Sequence, residues 1–397
     1  MSMFTARVDG LKAEKNSAQR IVAKQLEESG RSIIDLSAGE LDEPAPAVIR
    51  DAAREALGTA SNRYTETIGL PLLRRQLAAM LSTRTGRSWN ADQVAVTAGA
   101  KQALFNIALA LFDSGDEVII PSPHWTTFPA QVKLAGATPV LFDTRDAAYQ
   151  LDVSSLARRI TPRTKAIVLN SPHNPTGTVY SNESMREVGA LAQRHGLFAI
   201  LDQCYGDFVF ADRDGVRAHD VNCFDPSKLL VVDSFSKAVA LTGWRLGYVA
   251  GDPALIAVIR AIQTHTTSNP NSLAQAALCA AMPVGWADFT QGVRAKLGAN
   301  RDLIVTNLCG RTDVRVPHPE GGFFAYLDVR DWRRPAASGG PAVAEEFCTE
   351  LLKRECVMLV PGTAFGDPHG VRLSFTPRRE VLDQSLQAIV RFLDLTR

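Results

Sequence analysis

The sequence of 397 residues lacks several features that would exclude or assign whole classes of protein. Its six cysteines are scattered without a CxxC pair, which argues against a disulfide framework and against a thiolate zinc site. Its seven histidines show no HExxH or other ligand spacing, so no metal centre is expected. The 43 lysines and arginines nearly balance the 42 aspartates and glutamates without runs of like charge, which gives nucleic-acid binding no support.

Long hydrophobic runs are also missing. No uninterrupted apolar window reaches the roughly 18 residues of a membrane-spanning helix. The longest candidate, residues 274–287, is interrupted by Gln275 and Pro283. Residues 1–10 carry no apolar stretch of signal-peptide length. Together with the scattered cysteines, these observations lead us to expect a cytoplasmic protein.

Short apolar runs, in contrast, recur through the middle of the chain. They predict strands at 94–97, 117–120, 139–142, 166–169, 198–201, 229–232 and 246–249. Continuous apolar runs are typical of strands buried on both faces of a sheet. Helical patterns such as 101–112 and 182–195 separate several of them. We therefore predict an α/β fold with a mostly parallel sheet covered by helices.

The pattern changes after about residue 285, where helix and strand signals no longer alternate regularly. Helices are predicted at 288–308 and 342–354, and strands at 357–360 and 371–375, with the segment Gly-Gly-Phe-Phe-Ala-Tyr-Leu at 321–327 between the two helices. This pattern indicates a smaller α+β domain. We expect residues 1–45 to join residues 288–397 in it, beside a large domain of residues 46–287.

One lysine carries the strongest chemical signal. Lys237 follows Ser234 and Ser236 in a turn of small residues, and Arg245 comes eight positions after it. An amine in such a turn can form a Schiff base with a carbonyl cofactor, and an arginine nearby can hold that cofactor's phosphate. The pair points to pyridoxal 5'-phosphate (PLP). The alternative is a surface lysine and a structural arginine.

Polar side chains follow two predicted strands. Asp202 ends one of them, at the crevice where α/β sheets bind ligands, and there it would keep a pyridine nitrogen protonated. Tyr205 can place its hydroxyl near the phenolic oxygen of the same ring. Asn174 lies in a rigid turn with two prolines and a glycine, where its amide can donate to a ligand oxygen. The alternatives are a helix N-cap for the aspartate and a ligand-free loop for the asparagine.

A strand-to-helix junction contains Gly99 and Ala100. Small residues at such a junction let backbone N–H groups approach a phosphate, which the helix dipole also favours. Ser234, Ser236 and Arg245 would complete the phosphate site.

Three further side chains are candidates for the site. Trp125 follows a strand, where its face can stack on a flat cofactor ring, although a packing tryptophan is the alternative. His124 beside it is either a polar neighbour of the site or structural. Arg372 is a charge inside an apolar run, so its partner is either a substrate carboxylate or a structural salt bridge.

Taken together, these motifs resemble the class I aminotransferases, which are PLP enzymes of fold type I. The resemblance runs from about residue 17 to residue 392. The motifs occur in the family's order, namely the loop with Gly39 and Glu40, Tyr64 with Gly69, the Gly99 junction, Trp125, Asn174-Pro175-Thr176-Gly177, Asp202 with Tyr205, Ser234 to Lys237, Arg245 and Arg372.

The resemblance implies a fold with a seven-stranded, mostly parallel sheet, and it implies a role for each candidate. Lys237 would bond to PLP and move the substrate proton, with Asp202 at the ring nitrogen and Asn174 and Tyr205 at the phenolic oxygen. The other implied cofactor contacts are Gly99, Ala100, Lys101, Trp125, Ser234, Ser236 and Arg245. The implied substrate contacts are Gly39, Lys101, Trp125, Asn174 and Arg372. Tyr64 is similar to the family tyrosine that reaches the phosphate of the neighbouring subunit, which implies a homodimer with shared active sites.

Substrate choice is less defined than the cofactor. The nearest subgroup resembles the bacterial aspartate/prephenate-type enzymes, in which a lysine at the position of Lys101 reaches a distal carboxylate. That favours acidic donors, although Lys101 can instead be a helix residue beside the phosphate. Gln203, Cys204 and His124 depart from the subgroup pattern, so a specialised aminotransferase with a non-acidic donor is an alternative.

The expected activity is the ping-pong transfer of an amino group from an L-amino acid to a 2-oxo acid such as 2-oxoglutarate or oxaloacetate. The first rival is a β-lyase, decarboxylase or oxidase on the same scaffold. The second is a non-catalytic PLP-binding homologue. The joint presence of Lys237, Asp202 and Arg245 disfavours the second rival.

Overall fold

The computed structural model describes residues 17–58, 62–210, 221–332 and 341–396, together with Thr5 and Val8. The α-helices in these ranges are α1 (Ser17–Glu28), α2 (Ala47–Leu57), α3 (Pro71–Thr85), α4 (Ala100–Leu111), α5 (Thr127–Leu134), α6 (Val153–Ala157), α7 (Asn182–His195), α8 (Phe235–Ala238), α9 (Pro253–Thr266), α10 (Ser272–Ala281), α11 (Ala287–Leu308), α12 (Val343–Glu355) and α13 (Arg379–Leu395). Of the described helices, none is both long enough and apolar enough to cross a membrane.

The β-strands form three sheets. They are β1 (Ile34–Asp35), β2 (Val94–Thr97), β3 (Glu117–Ser122), β4 (Thr138–Asp143), β5 (Thr164–Asn170), β6 (Phe198–Asp202), β7 (Leu229–Ser234), β8 (Gly247–Gly251), β9 (Phe324–Asp328), β10 (Val357–Met358), β11 (Val360–Pro361) and β12 (Gly370–Ser374). The largest sheet has seven strands in the order β2-β8-β7-β6-β5-β3-β4. Only β8 runs against its neighbours, which confirms the mostly parallel α/β sheet predicted from the sequence.

Apolar residues cover both faces of this sheet because successive side chains of a strand point to opposite faces. In β7, Leu229 and Val231 pack into one hydrophobic core, and Leu230 and Val232 pack into another. The prediction is wrong for β4, which is largely exposed, with Leu141 at 42%. This strand lies at the edge of the sheet, where a neighbour covers it on one side only.

The C-terminal third builds a separate core around a small antiparallel sheet, β11-β12-β9. Phe347 of α12, Phe392 of α13 and Phe375 pack together there, and Leu36 from the N-terminal segment joins them. The strand predicted at 357–360 is two short strands, because β10 pairs with β1 and β11 pairs with β12. Of the predicted N-terminal segment, residues 1–16 lie outside the described residues, apart from Thr5 and Val8.

Two helical glycines give a matched test of this packing. A Cβ at Gly189 in α7 would lie 2.4 Å from the carbonyl oxygen of Cys223, whereas a Cβ at Gly292 in α11 would meet nothing within 4 Å. We expect Gly189→Ala to lower the free energy of unfolding by about 1–3 kcal/mol through overpacking. Gly292→Ala should raise it by about 0.5–1 kcal/mol through helix propensity. Urea titration measures both, and an unchanged stability for Gly189→Ala would contradict the close packing of α7.

Candidate active site

Parallel strands bring the candidate residues to one edge of the large sheet. Since β2, β3, β5, β6 and β7 all run in the same direction, their carboxyl ends meet at that edge. A cavity of about 530 Å³ opens there. Its walls are formed by Glu40, Ala100, Lys101, Trp125, Asn170, Asn174, Asp202, Cys204, Tyr205, Ser234, Ser236, Lys237, Thr242 and Arg245. Ten of the fourteen candidates predicted from the sequence therefore line a single cavity.

Lys237 lies in the short helix α8, which Ser234 caps by accepting a hydrogen bond from the Ser236 N–H at 3.0 Å. The Lys237 Nζ donates to the carbonyl oxygen of Gly39 at 2.6 Å, which brings the predicted Gly39 loop to the site. Burial lowers the pKa of the Lys237 amine. A lowered pKa increases the neutral, nucleophilic fraction of the amine at physiological pH.

Asp202 is the last residue of β6 and is 4% exposed. Its Oδ1 accepts a hydrogen bond from the Cys204 N–H at 3.0 Å. Burial raises the pKa of the Asp202 carboxyl, and among the described residues it has no ion-pair partner. A cationic ligand group at this point would stabilise the carboxylate. A turn at residues 204–207, and not a helix, follows it, so the N-cap alternative is wrong.

Arg372 is buried in β12 and reaches the same region through Asn174. Its Nη1 donates to Asn174 Oδ1 and its Nη2 to the Ser37 carbonyl, both at 2.9 Å. The guanidinium carbon lies 4.2 and 4.8 Å from the ring centroids of Phe324 and Phe365. Asn174 Nδ2 in turn donates to the Tyr205 hydroxyl at 3.5 Å.

The buried charge of Arg372 has no protein counterion in the described part of the chain, so the alternative of a structural salt bridge finds no support there. Its Nε is buried without a hydrogen-bond partner. Burial lowers the pKa of the guanidinium to about 10, which leaves it charged at neutral pH. An unpaired, buried guanidinium next to a cavity is suited to a ligand carboxylate.

The opposite end of the cavity is suited to an anion. Gly99 is the N-cap of α4 with φ of 81°, and Ala100 and Lys101 form the first turn of that helix at the cavity wall. Arg245 donates to the Thr242 carbonyl at 2.9 Å. A Cβ at Gly99 would lie 2.7 Å from Arg245 Nη2, so a side chain at position 99 would collide with the arginine. A helix N-terminus and a guanidinium together favour a phosphate.

Trp125 lines the cavity, and the Lys101 Nζ lies 5.3 Å from the centroid of its ring. The ring also packs edge-to-face on Phe128, with centroids 5.4 Å apart. His124 does not line the cavity. Its Nδ1 lies 3.2 Å from the Trp125 carbonyl oxygen, and burial lowers the pKa of its ring. The structure therefore favours the structural alternative for His124.

One predicted residue lies apart from the others. Tyr64 is 90% exposed and does not line the cavity of its own chain. Conversely, Asn170, Glu40 and Thr242 line the cavity although no role was predicted for them. Asn170 pairs with Asp202 across β5 and β6, and its Oδ1 accepts the Asn174 N–H at 2.9 Å. Its position at the carboxyl end of a strand was the available signal.

These side chains fit the PLP expected from the sequence. An unpaired buried carboxylate is suited to a protonated ring nitrogen, and an amine of lowered pKa is suited to an aldehyde. The helix N-terminus beside Arg245 is suited to a phosphate.

Comparisons with known proteins agree with this geometry. The family profile of aminotransferase class I and II matches residues 31–389. The chain is 34% identical to an aspartate aminotransferase of Geobacillus stearothermophilus over 94% of each chain, and 34% identical to an aspartate/prephenate aminotransferase of Cereibacter sphaeroides over 99% of each. Among solved structures, the aspartate aminotransferase of Rhizobium meliloti superposes with a TM-score of 0.92, 31% identity and 99% coverage of both chains. That of Thermus thermophilus with maleate gives 0.89, 32% identity, and coverage of 98% of this chain and 100% of that one.

The lowered pKa of Lys237 can be measured without any cofactor. Reductive methylation by formaldehyde and cyanoborohydride, followed by peptide mass spectrometry, gives the pH dependence of its reaction rate. We expect a midpoint below the ordinary lysine value of about 10.4, because burial disfavours the charged amine. The same lysine in urea-unfolded protein serves as the control. Coincident midpoints in folded and unfolded protein would contradict this environment.

Proposed function

Since the chain belongs to the class I and II aminotransferases, we propose that the cavity at the sheet edge is its active site and that Lys237 is its catalytic lysine. The protein is a PLP-dependent transaminase that moves an amino group from an L-amino acid to a 2-oxo acid in a ping-pong reaction. The observation that carries the site assignment is the joint presence in one cavity of the Lys237 amine, the unpaired Asp202 carboxylate and an anion-binding helix terminus.

We propose the following contacts to PLP. Asp202 holds the ring nitrogen, Asn174 and Tyr205 donate to the phenolic oxygen, and Trp125 covers the ring face. The phosphate is held by the N-terminus of α4, by Ser234 and Ser236, and by Arg245. When bound, PLP supplies a carbonyl that captures the amino group and a ring that withdraws electrons from the substrate Cα.

The protein groups then act on the substrate itself. Lys237 Nζ is the base that takes the proton from the substrate Cα and the acid that returns it, a role that requires its neutral form. Arg372 binds the α-carboxylate with a planar fork, and Asn174 fixes the direction of that fork from the other side. The Gly39 carbonyl accepts a hydrogen bond from Lys237 Nζ at 2.6 Å, so the backbone of Gly39 is close enough to the site to contact the substrate α-carboxylate as well.

Acidic substrates are the favoured class. Lys101 is exposed at the cavity mouth beside Trp125, where its amine can pair with a second carboxylate. Several relatives are named as aspartate or aspartate/prephenate aminotransferases, and one solved relative holds maleate, a dicarboxylic acid. We infer an aspartate- or glutamate-like donor, with 2-oxoglutarate or oxaloacetate as acceptor. No relative reported above is named as a lyase, decarboxylase or oxidase.

We also propose how the chain is organised and assembled. Residues 46–287 would form the large domain, and residues 1–45 with 288–397 the small one, since Leu36 packs in the same core as α11, α12 and α13. The exposed ring of Tyr64 supports a homodimer in which each subunit completes the other's phosphate site. A cytoplasmic location is consistent with free cysteines in the described chain.

Removal of the Lys101 amine tests the substrate class. We expect Lys101→Ala to reduce kcat/KM for aspartate and glutamate by about tenfold to a hundredfold, the loss of one charge-assisted hydrogen bond, with little change for alanine. Oxo-acid formation across a donor panel measures this. Lys133→Ala removes an exposed lysine of α5 and should change nothing. Equal losses for acidic and neutral donors would reject the role of Lys101, and a wild type that prefers neutral donors would favour the specialised alternative.

Shared active sites predict complementation between two defective subunits. Tyr64→Ala and Lys237→Ala proteins, co-expressed in equal amounts, should form hybrid dimers with one intact site and about a quarter of the wild-type activity. Lys237→Ala mixed with Asp202→Ala is the control, because both residues line the same cavity of one chain and no intact site can form. No recovery in the first mixture would argue against a role for Tyr64 in the partner's site.

A further inference from the structure

A partly buried ionic cluster lies against the wall of the proposed active site and has no role in the chemistry described above. Arg84, near the end of α3, donates from Nη2 to both carboxylate oxygens of Asp207, at 3.0 and 3.1 Å. Its Nη1 lies 3.4 Å from Asp233 Oδ2. Tyr248 donates its hydroxyl to the same Oδ2 at 3.0 Å. These four residues are called the Arg84 cluster below.

The Arg84 cluster touches the phosphate end of the site through Asp233. This residue directly precedes Ser234 in β7, and its Oδ1 accepts the Ser234 N–H at 2.6 Å. Ser234 caps α8 and is shared between the 530 Å³ cavity and a small space beside the cluster. The Asp233 carboxylate therefore fixes the peptide that carries the Ser234 hydroxyl.

The cluster touches the ring end of the site through Asp207. This residue lies in the tight turn that follows Asp202, where the Phe208 N–H donates to the Tyr205 carbonyl at 2.9 Å. The two-pronged contact of Arg84 with Asp207 anchors that turn to α3. Since the same guanidinium reaches Asp233, a single arginine connects the turn that carries Tyr205 with the turn that carries Ser234.

We propose that Arg84, Asp207 and Asp233 are positioning residues that hold the Tyr205 turn and the Ser234 turn at the separation that PLP requires. This inference rests on the proposed assignment of the cavity as the PLP site. None of the three residues touches the substrate, so their contribution falls on cofactor affinity. Turnover by enzyme that is fully loaded with cofactor depends on Lys237 instead.

The electrostatics of the cluster explain why its members act together. The Asp233 and Asp207 side chains are only 12% and 23% exposed, so each carboxylate depends on the Arg84 cation. The pKa of Asp233 is raised to about 7, because burial and the charge of Asp207 raise it more than Arg84, the Ser234 N–H and Tyr248 lower it. Burial also raises the pKa of Tyr248 well above its ordinary value, so its hydroxyl remains a donor. Removal of the arginine leaves the buried Asp233 and the partly buried Asp207 without this counterion.

Titration of the apoprotein with PLP, followed by tryptophan fluorescence, tests the inference. We expect Arg84→Gln to raise the Kd for PLP by about tenfold, which corresponds to one lost charge-assisted hydrogen bond, and Asp233→Asn to do the same. At saturating PLP, kcat should remain within about twofold of the wild type. In the double variant Arg84→Gln/Asp233→Asn, the Kd for PLP should rise by less than the product of the two single fold-increases, since the residues act as a unit. Arg84→Lys, which keeps the cation without the fork, should recover part of the affinity.

Arg311 provides a matched control, because it also bridges two aspartates, Asp313 and Asp394, at 2.9 and 2.8 Å, but it lies away from the cavity. Arg311→Gln should lower stability and leave the Kd for PLP unchanged. Equal losses of affinity in Arg84→Gln and Arg311→Gln, or unchanged affinity in Arg84→Gln and Asp233→Asn, would overturn the inference. If Arg84→Gln does not fold, the nearly isosteric Asp233→Asn decides. A wild-type apoprotein that takes up no PLP would instead reject the proposed site.

Discussion

The free energy of desolvating three charged groups dominates this site. Lys237, Asp202 and Arg372 are taken out of water at the end of one sheet, and the protein supplies none of them with an opposite charge in an ion pair among the described residues. Burial of unpaired charges opposes folding, so such an arrangement persists only where it serves another purpose. Each of the three groups is complementary to a different part of a PLP–amino acid pair, namely the carbonyl, the ring nitrogen and the carboxylate. With the proposed contacts, the charges of the site would be matched only when PLP and the amino acid are bound.

The parallel sheet is what makes this concentration of charge possible. Because the strands β2, β3, β5, β6 and β7 share a direction, each contributes a polar residue at the point where its backbone leaves the apolar interior. The antiparallel β8 returns the chain beside β7, so Tyr248 lies opposite Asp233. The rigid β-strands thus fix the spacing of groups that come from distant parts of the sequence, and the short turns after them place the remaining groups, such as Asn174 and Tyr205.

Much of this arrangement could be predicted from the sequence, for identifiable reasons. Continuous apolar runs end at polar residues such as Asp202 and Ser234, and these local signals are sufficient to place both at a sheet edge. Local signals fail where the outcome depends on distant neighbours. The exposure of β4, for example, depends on its place at the edge of the sheet. Similarly, Arg84 carries no local signal, because it lies near the end of an unremarkable helix and meets its two aspartates only after folding.

Two residues that depart from the pattern of the aspartate/prephenate-type subgroup, Cys204 and His124, lie in or near the cavity. Cys204 lines the cavity next to Asp202, and burial holds the pKa of its thiol well above the ordinary value, so it remains a neutral neighbour of the carboxylate. His124 lies behind Trp125, where its lowered pKa keeps the ring uncharged. Neither departure adds a charge to the cavity. Among the residues that line the cavity, Lys101 is the exposed cation beside Trp125, where the proposed acidic side chain of the substrate would bind. The charge pattern of the cavity thus agrees with the proposed acidic substrate, while the uncharged neighbours leave the proposed PLP contacts unchanged.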